Sequence, residues 1–163
     1  MAKLNDIINW CNSTLKSSEF KDYAPNGLQI EGAQEVTKIL CAVTASQDAI
    51  DAAIAQNADL LLVHHGYFWK GEAYPITGMR GKRIRSLIKN DISLVGYHLP
   101  LDSHPTLGNN AAIAEILELE NIQALDESER HPIGNIGYLK QAMKPKGFKK
   151  YLTERLGFDT IHL

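Results

Sequence analysis

The sequence predicts an α/β fold, a mostly parallel or mixed sheet flanked by helices, and three observations carry that reading. Residues 36–44, 60–63 and 92–97 are short runs rich in β-branched and apolar side chains, as expected of strands buried on both faces. Amphipathic helical stretches lie between them. Strand, helix, strand, helix, strand in that rhythm places parallel neighbours side by side with helices covering the sheet. The composition suits such a fold: 163 residues, 44% hydrophobic and 22% charged, are enough for a packed core without a disulfide or metal staple.

Leu4, Ile7, Ile8, Cys11 and Leu15 form one apolar stripe at helical spacing, which makes the first segment a helix and Cys11 a packing residue. Tyr23-Ala24-Pro25-Asn26-Gly27 is turn chemistry, because Pro presets φ and Asn-Gly tolerates positive φ. Leu28-Gln29-Ile30 reads as a short strand ending at Gly32. After strand 36–44, Ser46 is placed to cap a helix whose first turns hold Asp48 and Asp51 and whose buried face is Ala49, Ile50, Ala53 and Ile54. Strand 60–63 ends at His64-His65-Gly66. A helix over 82–89 turns Ile84, Leu87 and Ile88 inward, and strand 92–97 follows. Residues 98–110 read as a loop with two prolines, after which Asn109 or Asn110 would cap a helix over 111–120. Residues 123–132 are polar and mixed in charge, the expected junction between a first unit, 1–125, and the start of a second α/β half, 126–163. A strand over 136–143 and a helix marked by Phe148, Tyr151, Leu152 and Leu156, closed by Gly157, complete the pass. A further strand begins at Asp159 just before the sequence stops at Leu163, which looks like a chain cut inside a domain.

Several function classes fall away. With 17 basic and 19 acidic residues the net charge is −2, the wrong balance for a protein that coats nucleic acid. Cys11 and Cys41 are the only cysteines and form no Cys-x-x-Cys pattern, which excludes a disulfide framework and a cysteine zinc site. No signal-peptide core and no membrane-length apolar run is present, so a cytoplasmic location is expected. Walker, dinucleotide and Gly-x-Ser-x-Gly fingerprints are missing.

What remains is histidine chemistry. His64 and His65 close a buried strand, and ligands of open α/β sheets gather beyond the carboxyl ends of strands. Neighbours in a strand point to opposite faces, so this pair would serve two adjacent metals better than one; one packed and one exposed histidine is the plainer alternative. Tyr97-His98-Leu99-Pro100-Leu101-Asp102-Ser103-His104-Pro105 follows the next strand. Asp102 would supply a hard oxygen ligand, and His98 and His104 would act as ligands, supporting partners or proton carriers. A proline-stiffened turn with solvated Asp102 and His104 is the alternative. His131 and His162 are isolated and read as structural or exposed. Gly66-Tyr67-Phe68-Trp69-Lys70-Gly71 could stack a base or pack an oligomer. Arg80, Lys82, Arg83, Arg85 and Lys89 could hold phosphate, though such a run is usually a solvated helix face.

The stretches Asn26-Gly27-Leu28-Gln29-Ile30-Glu31-Gly32, 63–71 and 98–105, extended by Gly108-Asn109-Asn110, are similar in order and spacing to the GTP cyclohydrolase 1 type 2 homologue family, the YbgI-like or Nif-three-like dinuclear metal proteins. The resemblance runs from about Leu4 to Leu163. It implies a Nif-three-like fold, a cytoplasmic ring-shaped homohexamer, and two divalent metal ions per subunit facing an internal cavity. The family's amino-terminal metal ligands carry over to His64, His65 and Asp102, leaving His98 and His104 as candidate catalytic proton carriers. Its remaining ligands, a histidine and a glutamate four positions apart, have no counterpart here: Pro132 follows His131, and His162 is followed only by Leu163. Zinc, iron, manganese, cobalt or nickel would suit the donors. The implied activity is metal-dependent hydrolysis of a nucleotide or related ring. The alternative is a non-enzymatic metal-binding ring scaffold, or a regulatory protein, contacting protein or DNA partners.

Overall fold

The computed structural model describes residues 1–160 and divides the chain into two compact units, Met1–Leu101 and Asp102–Leu163. The first opens with a short strand β1 (Ala2–Lys3) and helix α1 (Leu4–Leu15), followed by a 3-10 turn at Ser17–Glu19. Strands β2 (Gly27–Ile30), β3 (Glu35–Val36) and β4 (Ile39–Thr44) lead into helix α2 (Gln47–Ala55), strand β5 (Leu60–His65), helix α3 (Gly78–Lys89) and strand β6 (Ser93–Gly96). The main sheet runs β2-β6-β5-β4. Its β4, β5 and β6 are parallel, and β2 joins β6 antiparallel at one edge, so the sheet is mixed.

Side-chain alternation along β5 and β6 explains why Leu60–Val63 and Leu94-Val95 are unbroken apolar runs. Leu60, Leu62 and Val95 face α1, where Leu4, Ile8 and Cys11 meet them together with Val36 and Tyr97. Leu61, Val63 and Leu94 face the other way, onto Ile50 and Ala53 of α2 and Ile84 and Leu87 of α3. The central strands β5 and β6 are thus covered on both faces, as parallel strands between helical layers require. Ser46 caps α2 as expected, its hydroxyl accepting from the Ala49 N–H at 3.1 Å. Gly27 adopts φ +103°, the conformation that made Asn26-Gly27 a turn signal.

The expected strand over 36–44 is two strands. Val36 pairs with Ala2, whereas Ile39 begins the pairing with β5. Between them the Asp59 carboxylate accepts from the backbone N–H groups of Thr37 at 2.7 Å and Lys38 at 2.9 Å, bending the chain out of one ladder. Helix α3 starts four residues earlier than the apolar spacing implied, at Gly78 rather than Lys82.

Helix α4 (Leu99–Ser103) interrupts the segment read as loop and carries the boundary between the units. In the second unit, α5 (Asn109–Ile116) is capped by Gly108 without a side-chain bond. Neither asparagine caps it: Asn109 and Asn110 instead donate to Asp102. Strand β7 (Glu120–Ala124) pairs antiparallel with β8 (Asn135–Tyr138), so the segment expected as a polar junction is partly strand. Helix α6 (Pro145–Leu156) has Pro at its start and ends at Gly157 with φ +76°. Asp159 and Thr160 have no regular structure, and the rest of the strand expected there lies outside the described residues, as does His162.

Candidate metal centre

The parallel strands β5 and β6 end at one edge of the sheet, and three histidines collect there. One ring nitrogen from each of His64, His65 and His98 can be chosen so that all lie within 4.8 Å of one another. Ring centroids of His64 and His65 are 4.4 Å apart, and His98 stands 5.0 Å from the first and 5.7 Å from the second. Strand alternation was expected to splay the adjacent pair. It does not separate them: both rings stand at the end of β5, past the β6 pairing that ends at Val63↔Gly96.

Each ring is oriented through Nδ1. His64 Nδ1 lies 2.9 Å from the Tyr97 carbonyl oxygen, which can only accept, so Nδ1 carries the proton and Nε2 of the neutral ring bears the lone pair. His98 Nδ1 lies 2.8 Å from Asp22 Oδ1, with the same consequence. His65 Nδ1 meets Thr44 Oγ1 at 3.2 Å across the β4–β5 register pair.

Asp22 is the support that sequence reasoning missed. Its side chain is 3% exposed and accepts from His98, from Asn26 Nδ2 at 3.0 Å, and from the backbone N–H groups of Leu99 at 2.9 Å and Tyr23 at 2.6 Å. Burial pulls its carboxyl pKa upward, but the hydrogen bonds from His98, Asn26, Leu99 and Ala24 outweigh that pull and hold it below the usual range. Asn26 completes the clamp by accepting from the His98 N–H at 2.8 Å. The available signal was two short polar side chains in a turn with no amphipathic period, but nothing local names a partner far along the chain.

A second brace fixes the turn after the pair. Gln29 accepts from the Tyr67 N–H at 2.7 Å and donates to the Pro25 carbonyl at 2.9 Å. A Cβ at Gly66 would fall 2.1 Å from Gln29, and one at Gly96 2.8 Å from it, so both glycines make room for this side chain. Trp69 then lies edge-on to His98, centroids 4.8 Å apart, and 5.9 Å from His65. Tyr97, whose carbonyl holds His64, is itself buried; its hydroxyl donates to Asn12 at 2.9 Å, and burial, aided by the Cys11 thiol, pushes its pKa far up.

Residues 2–163 match the Duf34/NIF3 (NGG1p interacting factor 3) family along nearly the whole chain. The chain belongs to this family. The GTP cyclohydrolase 1 type 2 homolog of Haemophilus influenzae is 54% identical over 146 residues, covering 89% of this chain and 57% of that protein. The solved structure of protein ybgI, of unknown function, has 44% identity and a TM-score of 0.88 over 97% of this chain and 62% of its own. A Thermus thermophilus structure has 30% identity and a TM-score of 0.84, covering 97% and 63%. The chain therefore spans less than two-thirds of the length of each of these Duf34/NIF3-type relatives.

The other residues singled out in the sequence fall in different places. Asp102 is the first residue of the second unit, where its Oδ1 accepts from Asn109 at 2.8 Å and its backbone carbonyl from Asn110 at 3.2 Å. His104 Nδ1 accepts from the Thr106 and Leu107 N–H groups at 3.3 and 3.0 Å, so that nitrogen shapes a turn. His131 is half-buried in the segment between β7 and β8. On α3, Arg80 is tied to Glu72 at 2.8 Å and to the carbonyls of Ala73 and Pro75, while Lys82, Arg85 and Lys89 are exposed. Cys11 is buried and Cys41 exposed, both as free thiols. Among the described residues no helix is long and apolar enough to cross a membrane.

The cluster fits a divalent ion. Imidazole nitrogens suit zinc and its first-row neighbours, and the Asp22–His98 contact is the outer support that histidine ligands of metals characteristically have.

Proposed function

We propose that this chain carries a divalent metal centre built on His64, His65 and His98, and that the centre serves metal-dependent hydrolysis of a nucleotide or related ring. The carrying observation is the gathering of three histidine nitrogens within 4.8 Å at the carboxyl edge of the sheet. The name GTP cyclohydrolase 1 type 2 homolog, borne by the Haemophilus influenzae relative, supports the choice of substrate class. Two ions per subunit, facing the cavity of a homohexameric ring in the cytoplasm, is the assembly that goes with this reading. When bound, such ions would lower the pKa of a water and polarise the oxygen of the bond under attack.

The chain's own residues set the geometry of that chemistry. The Tyr97 carbonyl and Asp22 fix the His64 and His98 tautomers, so that each ring presents Nε2. His98, its Nδ1 held by Asp22, would be the third ligand through Nε2. His104, with Nδ1 engaged in its turn, exchanges protons through Nε2. Turnover of GTP by metal-loaded protein, abolished by a chelator and by His64→Ala, is the expected result. Turnover that persists in His64→Ala would overturn the proposal.

The scaffold reading has one observation in its favour. The outward side chains of edge strand β4 are bare, with Ile39 43% and Val43 69% exposed, a surface suited to another protein chain. Metal binding with no turnover of any nucleotide would favour that reading over the hydrolase.

A further inference from the structure

The segment between β5 and α3 forms a recess that the metal-centre reading does not use. It is about 150 Å³, lined by Phe68, Trp69, Glu72, Ala73, Tyr74 and Arg80, and so has the scale of cavities that accept a single aromatic ring. Its walls are unusually well held for a surface loop. Trp69 Nε1 donates to the Gly66 carbonyl at 3.1 Å, and the Trp69 N–H donates to Glu72 Oε2 at 3.1 Å. Arg80, 17% exposed, clamps Glu72 and two loop carbonyls from α3. Phe68 sits at φ +65°, a conformation rare for a bulky residue, and so is fixed by its surroundings rather than by local preference. One further contact ties the recess to the histidine cluster. The Trp69 indole that lines it also packs edge-on against His98 and close to His65.

We propose that this recess is the subsite for a planar heteroaromatic ring, which stacks on Trp69 and Phe68 and is thereby delivered to the edge of the histidine cluster. The inference deepens the hydrolase reading and rests on it for the role of the bound ring. Ring recognition is favoured over phosphate recognition because the one guanidinium in the wall is spent on Glu72 and the loop carbonyls. Stacking tolerates different bases, whereas an anion site needs uncommitted donors.

The test is calorimetric titration of the whole chain with guanosine, a nucleoside without phosphate, in parallel with inorganic triphosphate. Guanosine is expected to bind, with triphosphate failing to compete. Trp69→Ala should weaken binding about tenfold or more, Trp69→Phe much less, and Trp10→Ala, which changes the exposed tryptophan of α1, not at all. Cobalt binding measured on the same variants monitors folding and the metal centre. Trp69→Phe should hold cobalt within a few-fold of the parent protein. No guanosine binding at millimolar concentration, equal binding by Trp69→Ala, or displacement by triphosphate would each overturn the subsite. Cobalt binding without guanosine binding would sink this inference alone. Guanosine binding without cobalt binding would sink the metal-centre reading and leave the recess standing.

Discussion

Asp22 joins the turn before β2 to the segment after β6, and its loss should be felt both in stability and in the metal centre. Replacing it with Ala strands the Leu99 N–H, the Asn26 amide and His98 Nδ1 at a buried point, which should cost about 3 kcal/mol in urea unfolding. The acid dependence has a definite sign. The folded carboxyl pKa lies below its unfolded value of about 3.9, so the stabilisation is fully present above that value and drains away as pH falls through the lower, folded one. Unfolding curves between pH 2 and 5 should therefore be flatter for Asp22→Asn than for the parent protein. Without the carboxylate that orients its ring, His98 should also bind metal less well. A tenfold to hundredfold loss of cobalt affinity in Asp22→Asn is the expected size for such a supporting residue. Unchanged affinity would show that Asp22 is structural only.

At the scale of elements, the sheet of the first unit is held by close backbone contacts and by caps. A Cβ at Gly32 would stand 2.4 Å from the Asp91 carbonyl oxygen, and backbone cannot swing aside as a side-chain tip can. Gly32→Ala should therefore destabilise by about 2 kcal/mol or more in urea unfolding, whereas Ser46→Ala, which removes only the α2 cap, should cost about 1 kcal/mol. The same elements show what was legible in the sequence. The stripe of α1, the apolar run of β5 and the Gly157 stop report themselves because each is a local pattern with a fixed period or a fixed φ. The break between β3 and β4 does not, since the Asp59 carboxylate that makes it comes from outside the strand. Helix α4 was hidden by its five-residue length and by Pro100. Asn109 and Asn110 carried a cap signal, but the helix takes Gly108 as its cap and Asn109 as its first residue, and the Asn109 amide donates to Asp102 instead. His64 and His65 stood out in the sequence because a polar pair ends an apolar strand. Their closeness to His98 follows from strand pairing that no local pattern encodes.

For the whole molecule, the distribution of buried surface is uneven. The first unit has two apolar layers on either side of its sheet, while α6 of the second has no buried residue and the buried apolar side chains among that unit's described residues are Ala114 and Leu117. On the first unit, Ile39, Cys41 and Val43 form an exposed row along the edge strand. Such a row promotes association. Val43→Lys should lower the sedimentation-derived mass of any assembly while leaving the urea midpoint of the first unit nearly unchanged. An assembly that survives the substitution would place the contact elsewhere. The most direct measurement of the central claim is a cobalt titration of the intact chain, followed by visible absorption, for the parent protein and for His64→Ala, His65→Ala and His98→Ala. Saturable binding with a visible band, weakened at least tenfold by each substitution, is the result expected of a shared three-histidine centre. No saturable binding by the parent protein, or parental affinity retained in all three variants, would contradict it.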